Sequence, residues 1–302
     1  MERDKTGKIN IALDLARETL KNVLMGSAAV RRWRLKRPRS ATAHSNTDEF
    51  LKQYAFGSLD LLLEYAVDLR GKSVCEIGPG DYLTSGLAIL ASGSSKYCAI
   101  DRFPGNYFSE TAKGWYREIE KNWSRFYPNM PWDKSLVADQ FPENNAHRLE
   151  LLGEALETAN ATQKYDLVCS FQVGEHVSDI DAFAEIHNRV LNNGGIGLHR
   201  IDFGPHDCWF SYRDPGVFLR FSDRVWRLTG SNRGAPNRKR HHEFLEAFER
   251  AKLNVEILFT ANFDRSAMDL EKLNKKFLKM PMESVLTGTA IYRLSRKKEF
   301  SE

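Results

Sequence analysis

The chain has 302 residues, 42% of them hydrophobic and 28% charged, enough for one large domain or a domain with sizeable additions. That balance, with 20 Gly and 10 Pro, excludes global disorder and collagen-like repeats, and no run of 18 apolar residues is present to span a membrane. The net charge of +4 is unevenly placed: residues 1–40 hold 11 Lys/Arg against 4 Asp/Glu, residues 220–241 hold 7 against 1, and the rest is acidic. A general DNA or nucleic-acid binder carries its basic face through the fold, so that class is set aside. Cys75, Cys98, Cys169 and Cys208 form no Cys-x-x-Cys pair, which argues against a disulfide framework or a zinc knuckle. No signal-type apolar segment follows Met1-Glu2-Arg3-Asp4, and the expected setting is cytoplasmic.

Ile9, Leu13, Ala16, Leu20 and Leu24 recur at helical spacing and predict an amphipathic helix over 8–25, stopped at Gly26. Residues 31–39 hold six cations with Trp33 and Leu35, and 40–46 read as a linker. The expected organisation is a basic helical extension, 1–45, and a main domain, 46–302. Three roles are open to residues 8–39: peripheral contact with anionic lipid, packing on the domain as a lid or oligomer contact, or RNA binding.

A second helix is predicted from Asp48 to Leu69. Strands and helices then alternate: strand 73–77, helix 85–92, strand 96–101, an aromatic-rich helix 109–126, a short strand 136–138 and a helix 149–158. Strand 166–171, helix 182–191 and strand 196–201 follow. After an insert over 204–242 come helix 242–251, strand 255–260, a helix near 266–279 and strand 287–294. Apolar strands alternating with helices imply an α/β fold, a doubly wound, mostly parallel sheet with its ligand beyond the strands' C-terminal ends.

Glu76-Ile77-Gly78-Pro79-Gly80-Asp81 lies between a strand and a helix. Glycines there bring backbone close to a ligand, and the helix N-terminus offers free N–H groups. Asp101, closing the second strand, suits the two hydroxyls of an adenosine ribose. A nicotinamide dinucleotide fingerprint would place a third glycine where Leu83 stands. Glu76-Ile77-Gly78-Pro79-Gly80 instead resembles the first motif of class I S-adenosylmethionine-dependent methyltransferases. The family's usual third glycine falls here at Tyr82. Tyr165-Asp166-Leu167-Val168, Val173-Gly174-Glu175-His176-Val177 and Arg189-Val190-Leu191-Asn192-Asn193-Gly194-Gly195 extend the resemblance over residues 50–294. It implies a Rossmann-like seven-stranded sheet with an antiparallel last strand. It further implies that Glu76 supports the methionine ammonium, that Gly78, Pro79 and Gly80 line the methionine part, that Asp101 holds the ribose and that Asp139 reaches the adenine.

Methyl transfer from a sulfonium is an in-line displacement in which the enzyme chiefly aligns donor and acceptor, and a hydroxyl acceptor also needs a general base. His199, Asp202 and His206 leave the fifth strand and His176 follows the fourth, so these four are the candidate catalytic residues. The stretch His199 to His206 resembles one in methyltransferases associated with surface polysaccharides and sugars. His199, Asp202 and His206 could also hold a metal, but no fourth ligand is evident and none is expected. The basic insert, with Asn237 and Arg238 foremost, points to a small-molecule or glycan acceptor, and its guanidiniums suit an anionic one. Trp115, Tyr116, Trp123, Phe126, Tyr127 and Trp132 form either a sugar-stacking wall or a cover for the sheet. The expected activity is O-methylation of a sugar or glycan-related molecule. An N-methyltransferase, a cofactor-binding but inactive partner subunit and a nicotinamide-dependent oxidoreductase are the alternatives.

Overall fold

The structure, a computed structural model, describes residues 8–35, 47–232 and 234–297. The expected linker and the end of the basic run lie outside the described residues. In chain order the helices are α1 (Lys8–Met25), α2 (Ala28–Leu35), α3 (Thr47–Phe50), α4 (Gly57–Glu64), α5 (Thr84–Ala91), α6 (Glu110–Phe126), α7 (Ile180–Val190), α8 (Asp223–Gly230), α9 (His241–Arg250), α10 (Lys275–Leu278) and α11 (Met282–Leu286). The strands are β1 (Ser73–Ile77), β2 (Lys96–Ile100), β3 (Leu149–Leu152), β4 (Tyr165–Phe171), β5 (Leu191–Asp202), β6 (Leu253–Asn262) and β7 (Thr287–Arg296).

They form one seven-stranded sheet in the order β3-β2-β1-β4-β5-β7-β6. β1 pairs in parallel with β2 and β4, and β2 with β3. The sheet is mostly parallel with antiparallel last strands, the Rossmann-like α/β arrangement expected. The chain divides into two compact units. One comprises 34–171, 182–199 and 293–302; the other comprises 1–33, 172–181 and 200–292.

In the first unit β1 buries Val74, Cys75 and Ile77 together, the near-continuous apolar pattern of a strand covered on both faces. Every residue of α5 is buried. A Cβ on Gly86 would stand 2.6 Å from the Tyr97 ring, so the helix reaches β2 only because this position lacks a side chain. α6 starts where Ser109 Oγ accepts from Ala112 N at 3.2 Å. Its Ala112, Tyr116, Ile119 and Trp123 form the buried stripe.

Four predicted elements are corrected, among them the helix expected over 149–158, whose first four residues are a strand. The third strand is not 136–138, where residues 138–140 make a 3₁₀ turn, but Leu149–Leu152. Leu-Glu-Leu-Leu has good helix propensity, and pairing with Tyr97–Ile100 overrides it. The helix predicted over 48–69 is broken into α3, a π turn at Leu51–Ala55 and α4. The helix predicted near 266–279 is two 3₁₀ turns followed by α10.

In the second unit, Trp209, Tyr212, Phe218, Trp226, Phe277 and Val285 build a core against which Ile11 and Leu15 of α1 pack. The face α1 buries is otherwise polar: Asp14, Glu18 and Asn22 lie four residues apart and all are buried. Tyr212 Oη donates to Asp14 at 2.8 Å. Asn22 Nδ2 donates to Leu228 O at 3.0 Å, satisfying a carbonyl at the C-terminal end of α8. The predicted apolar stripe points the other way: Leu13, Leu20 and Leu24 are each more than half exposed, as is Val23 beside them. Helical periodicity located the stripe, but only the polar bonds decide which side docks.

Arg240 is fully buried, and its guanidinium donates to Phe203 O at 2.8 Å, Val285 O at 2.9 Å and Thr287 O at 2.6 Å. One fork thus ties the end of β5 to the turn entering β7. Arg240→Ala removes three charge-assisted bonds from buried carbonyls and should lower the unfolding free energy by about 3 kcal/mol or more. Urea denaturation checks this; a loss below about 1 kcal/mol contradicts it.

Candidate active site

Two groups of functional side chains follow the carboxyl ends of strands, one in each unit. In the first, β1 delivers Glu76 and then the loop. Gly78 and Gly80 have φ of +70° and +88°, the left-handed conformation that favours glycine. Gly78 N donates to Ile100 O at 2.8 Å, holding the loop to the end of β2. Nothing lies within 4 Å of a Cβ built on Gly80, so this backbone fronts open space. Asp101 follows β2, and its carboxylate accepts from Phe103 N at 2.7 Å and Gly80 N at 3.4 Å. Gly78, Gly80 and Asp101, which the resemblance groups at one cofactor, are therefore brought together; Pro79 holds the turn between the glycines.

Glu76 is buried beneath this loop. It accepts from Ser58 Oγ at 3.1 Å, from Ser85 Oγ at 2.6 Å and, in a very short bond, from Tyr97 Oη. Burial pushes its carboxyl up and the three hydroxyls oppose the shift. A carboxylate has about four acceptor positions, so one remains for an ammonium.

Asp139 is displaced from its expected place by the correction to the third strand. It sits on the 3₁₀ turn, pairs with Arg117 at 2.7 Å, and is exposed. The acidic residue just past the observed β3 is Glu154, after Gly153. The signal lay in Leu152-Gly153-Glu154, a strand end followed by a turn and an acid. The aromatic residues of α6 and beyond are committed to packing: Trp115 stacks on Phe50 at 3.6 Å, and Trp123 Nε1 donates to Met130 O at 2.7 Å. They cover the sheet and form no wall for a sugar.

His199 is fully buried in the same unit. His187 Nδ1 lies 2.9 Å from Ala184 O, a pure acceptor, so it carries the proton and leaves His187 Nε2 a lone pair. His199 Nε2 is 2.7 Å from that lone pair and donates to it. His199 Nδ1 then accepts from Ser170 Oγ at 2.8 Å. Both His199 nitrogens are used, so the expectation of a catalytic base here is corrected: His199 is a core hydrogen-bonding residue. A Cβ on Gly197 would come within 2.8 Å of the His187 ring, so the pair also needs glycine there. His187 and Ser170 carried no sequence signal, since only the pairing across β4, β5 and α7 gives them meaning.

In the second unit the other candidates converge. Gly174–His176 form a 3₁₀ turn after β4, and Asp202 and His206 leave β5. His206 Nε2 is 3.8 Å from Asp202 Oδ2 and 3.9 Å from Glu175 Oε1, and the His176 and His206 rings meet edge to face at 4.9 Å. His176 Nδ1 is 2.7 Å from Gly234 O and carries the proton, leaving Nε2 a lone pair. Burial holds the His176 pKa down to about 4, with the neighbouring His206 adding to the shift. Glu175 is 2% exposed, and neither of its oxygens completes a hydrogen bond among the described residues. The backbone amides of Glu175 and Asp202 lean towards it, but burial dominates and pushes its carboxyl well up. Glu175 was read in the sequence only as the neighbour of His176.

Asn237 and Arg238 are positioned differently from the expectation. Asn237 Nδ2 donates to Gly174 O and Val177 O, both at 3.0 Å, and Asn237 N donates to Glu175 O at 2.6 Å. Arg238 is buried, donates to Phe221 O at 2.7 Å, pairs with Asp223 and lies over the Trp226 ring at 5.0 Å. Asn237 braces the turn that carries Glu175 and His176, while Arg238 is spent on the carbonyls of Phe218 and Phe221 and on Asp223 and presents no fork to an anion. Arg220 pairs with Asp214 and Arg240 is internal, so this basic segment is chiefly structural.

The strand order and the glycine loop after β1 are those of a Rossmann-like α/β fold. No family model matches the chain, and no curated protein matches it. Among solved structures it is similar to an S-adenosylmethionine-dependent methyltransferase from Mesorhizobium loti, at 13% identity over 83% of this chain and 100% of that one, TM-score 0.45. It is similar to phosphoethanolamine N-methyltransferase 2 of Haemonchus contortus in complex with S-adenosyl-L-methionine, at 14% identity over 85% of this chain and 61% of that one, TM-score 0.46. The YcgJ protein of Bacillus subtilis matches at 12% identity over 80% of this chain and 99% of that one, TM-score 0.45. The functional reading rests on this chain's own strands and residues.

The buried histidines make stability depend on pH. His187 is held down to about 4 by burial, against an ordinary value of 6.5. Below pH 6.5 the unfolded chain takes up a proton that the native state refuses, so stability is lost as pH falls from 6.5 towards 4. Wild type should lose on the order of 3 kcal/mol relative to His187→Gln across that window. Denaturation series at several pH values check this, and a flat difference contradicts it.

Proposed function

We propose that the chain is an S-adenosylmethionine-dependent methyltransferase acting on an oxygen of a small, sugar- or glycan-related acceptor. The observation that carries the cofactor assignment is the Gly78-Pro79-Gly80 loop, with both glycines left-handed and open space at Gly80, tied through Gly80 N to the Asp101 carboxylate. Bound there, S-adenosylmethionine supplies an activated methyl group. Asp101 accepts from the ribose hydroxyls, the loop amides face the methionine part, and Glu76 keeps one acceptor position for the ammonium while its three hydroxyl partners fix the loop's base. Glu154 takes the adenine role first given to Asp139.

The oxygen assignment is carried by His206. The side chain is partly exposed, but its Nε2 is buried, has no hydrogen-bond partner among the described residues and lies near Asp202 and Glu175, an arrangement suited to taking the proton of a hydroxyl bound there. An amine acceptor would have no use for it.

The exposed apolar face of α1 is read as a contact with anionic membrane. Leu13, Leu20, Val23, Leu24 and Trp33 are each at least half exposed, and the sequence from 31 to 39 adds six cations, complementary to anionic headgroups. The described helices include none long and apolar enough to cross a membrane, so the contact is peripheral. Co-sedimentation with phosphatidylserine-containing vesicles should be lost on phosphatidylcholine alone and weakened at least about tenfold by Leu20→Glu/Val23→Glu. Equal recovery on both vesicles, or concentration-dependent dimers without vesicle binding, contradicts this.

Calorimetry with S-adenosylhomocysteine should show binding where NAD shows none, and Asp101→Ala should weaken it by about 1–3 kcal/mol. Unchanged affinity in that variant removes Asp101 from the cofactor site. His206→Ala should reduce turnover with a hydroxyl acceptor at least about 100-fold while cofactor affinity holds; wild-type turnover excludes it.

A further inference from the structure

Glu175 poses a problem that the methyltransferase reading leaves open. A carboxyl group taken out of water needs hydrogen bonds or a charge, and an unpaired one is costly. Its partner Glu76 in the other unit meets that demand with three hydroxyls. Among the described residues Glu175 has none, although it is 2% exposed. The ligand-type side chains gathered with it are acceptors or unpartnered: the Nε2 lone pair of His176, His206 Nε2 and, beside His206, the Asp202 carboxylate. Electron-pair donors that face one another, with only the leaning Glu175 and Asp202 amides and the charge of Arg200 to offset them and no completed hydrogen bond on either Glu175 oxygen or on His206 Nε2 among the described residues, describe a site for a cation.

We propose that Glu175, His176 and His206, with Asp202 as a fourth ligand, bind a divalent metal ion. One ligand atom each from Glu175, His176 and His206 lies within 4.8 Å of the others. Bonds of about 2.1 Å in a tetrahedral site place ligand atoms roughly 3.4 Å apart, so side-chain movements of several tenths of an ångström close the set. The separations of 3.8 and 3.9 Å at His206 are too long for hydrogen bonds and suit an ion between the partners. The supporting bonds are those a metal site uses. Gly234 O fixes the His176 tautomer with Nε2 inward, Gly204 N donates to Asp202 Oδ1 at 2.7 Å, and Asn237 braces the turn from behind. Two imidazoles with two carboxylates favour a first-row ion such as Co²⁺, Mn²⁺ or Zn²⁺ over Mg²⁺ or Ca²⁺. None of this uses His199, the ligand suggested by sequence spacing.

The proposal deepens the reading of this cluster as the acceptor's site, and for the ion's role it rests on that reading. An ion there would bind the acceptor hydroxyl and ease its ionisation, with His206 holding the ion instead of the proton.

The test uses the full chain, stripped with chelator and desalted, titrated with Co²⁺ and followed by calorimetry and visible absorption. One ion per chain is expected, with a ligand-field band and much weaker binding of Mg²⁺. Glu175→Gln, nearly isosteric, and His206→Ala, at a half-buried position, should each weaken Co²⁺ binding at least about tenfold. Glu175→Gln should do so without lowering the melting temperature of the metal-free chain, since it removes a buried carboxyl; a merely structural Glu175 would lower it. Asp101→Ala should leave Co²⁺ affinity unchanged. Absence of Co²⁺ binding, or equal binding in both cluster variants, overturns the proposal. Cofactor binding without Co²⁺ binding overturns this inference alone. Co²⁺ binding without S-adenosylhomocysteine binding supports it and removes the methyltransferase reading.

Discussion

Two buried carboxyl groups, each just after or at the end of a strand, set the terms for this molecule. Glu76 is surrounded by Ser58, Ser85 and Tyr97, and their hydroxyls absorb its demand for donors. It can serve as the fixed base of a loop because it is satisfied. Glu175, with neither oxygen completing a hydrogen bond among the described residues, is held in place by a turn that Asn237 clamps through two backbone carbonyls. Unsatisfied buried polar groups are tolerated where something external completes them. The loop residues gathered around Glu175 make sense as the construction of an incomplete coordination shell.

The same economy of polar groups explains why charge alone misleads here. The basic segment 220–241 looks like an anion-binding surface in one dimension. In three, Arg238 and Arg240 face backbone carbonyls and aromatic rings, and Arg220 faces Asp214. Guanidinium forks suit carbonyls as well as phosphates, and a chain with long non-helical connections has many carbonyls to satisfy. At the N-terminus the reversal is of another kind. Asp14, Glu18 and Asn22 turn inward because Tyr212 and the end of α8 offer matching partners, which leaves the aliphatic stripe outside.

Much of the sheet was legible because its strands are short apolar runs bounded by Gly, Asn and Asp, and β1 matches its predicted range. The glycine loop and Asp101 were legible because a close backbone approach demands glycine and a ribose suits an acid at a strand end. β3 was not, since its Leu-Glu-Leu-Leu carries no strand period and gains its structure from β2 alone. His199 was misread for a related reason: spacing along β5 shows that a histidine is near a strand end, but its tautomer and partners depend on His187 and Ser170, far away in sequence. Glu175 was overlooked because the absence of partners cannot be seen in one dimension.

A crystal structure grown with S-adenosylhomocysteine and Mn²⁺, with data at the manganese edge, tests the whole account most directly. The account predicts cofactor density along Gly78–Gly80 with ribose hydroxyls on Asp101. It also predicts an anomalous peak about 2.2 Å from Glu175, His176 and His206 ligand atoms. Cofactor bound elsewhere, or a cluster without a peak in crystals that hold manganese, would contradict it.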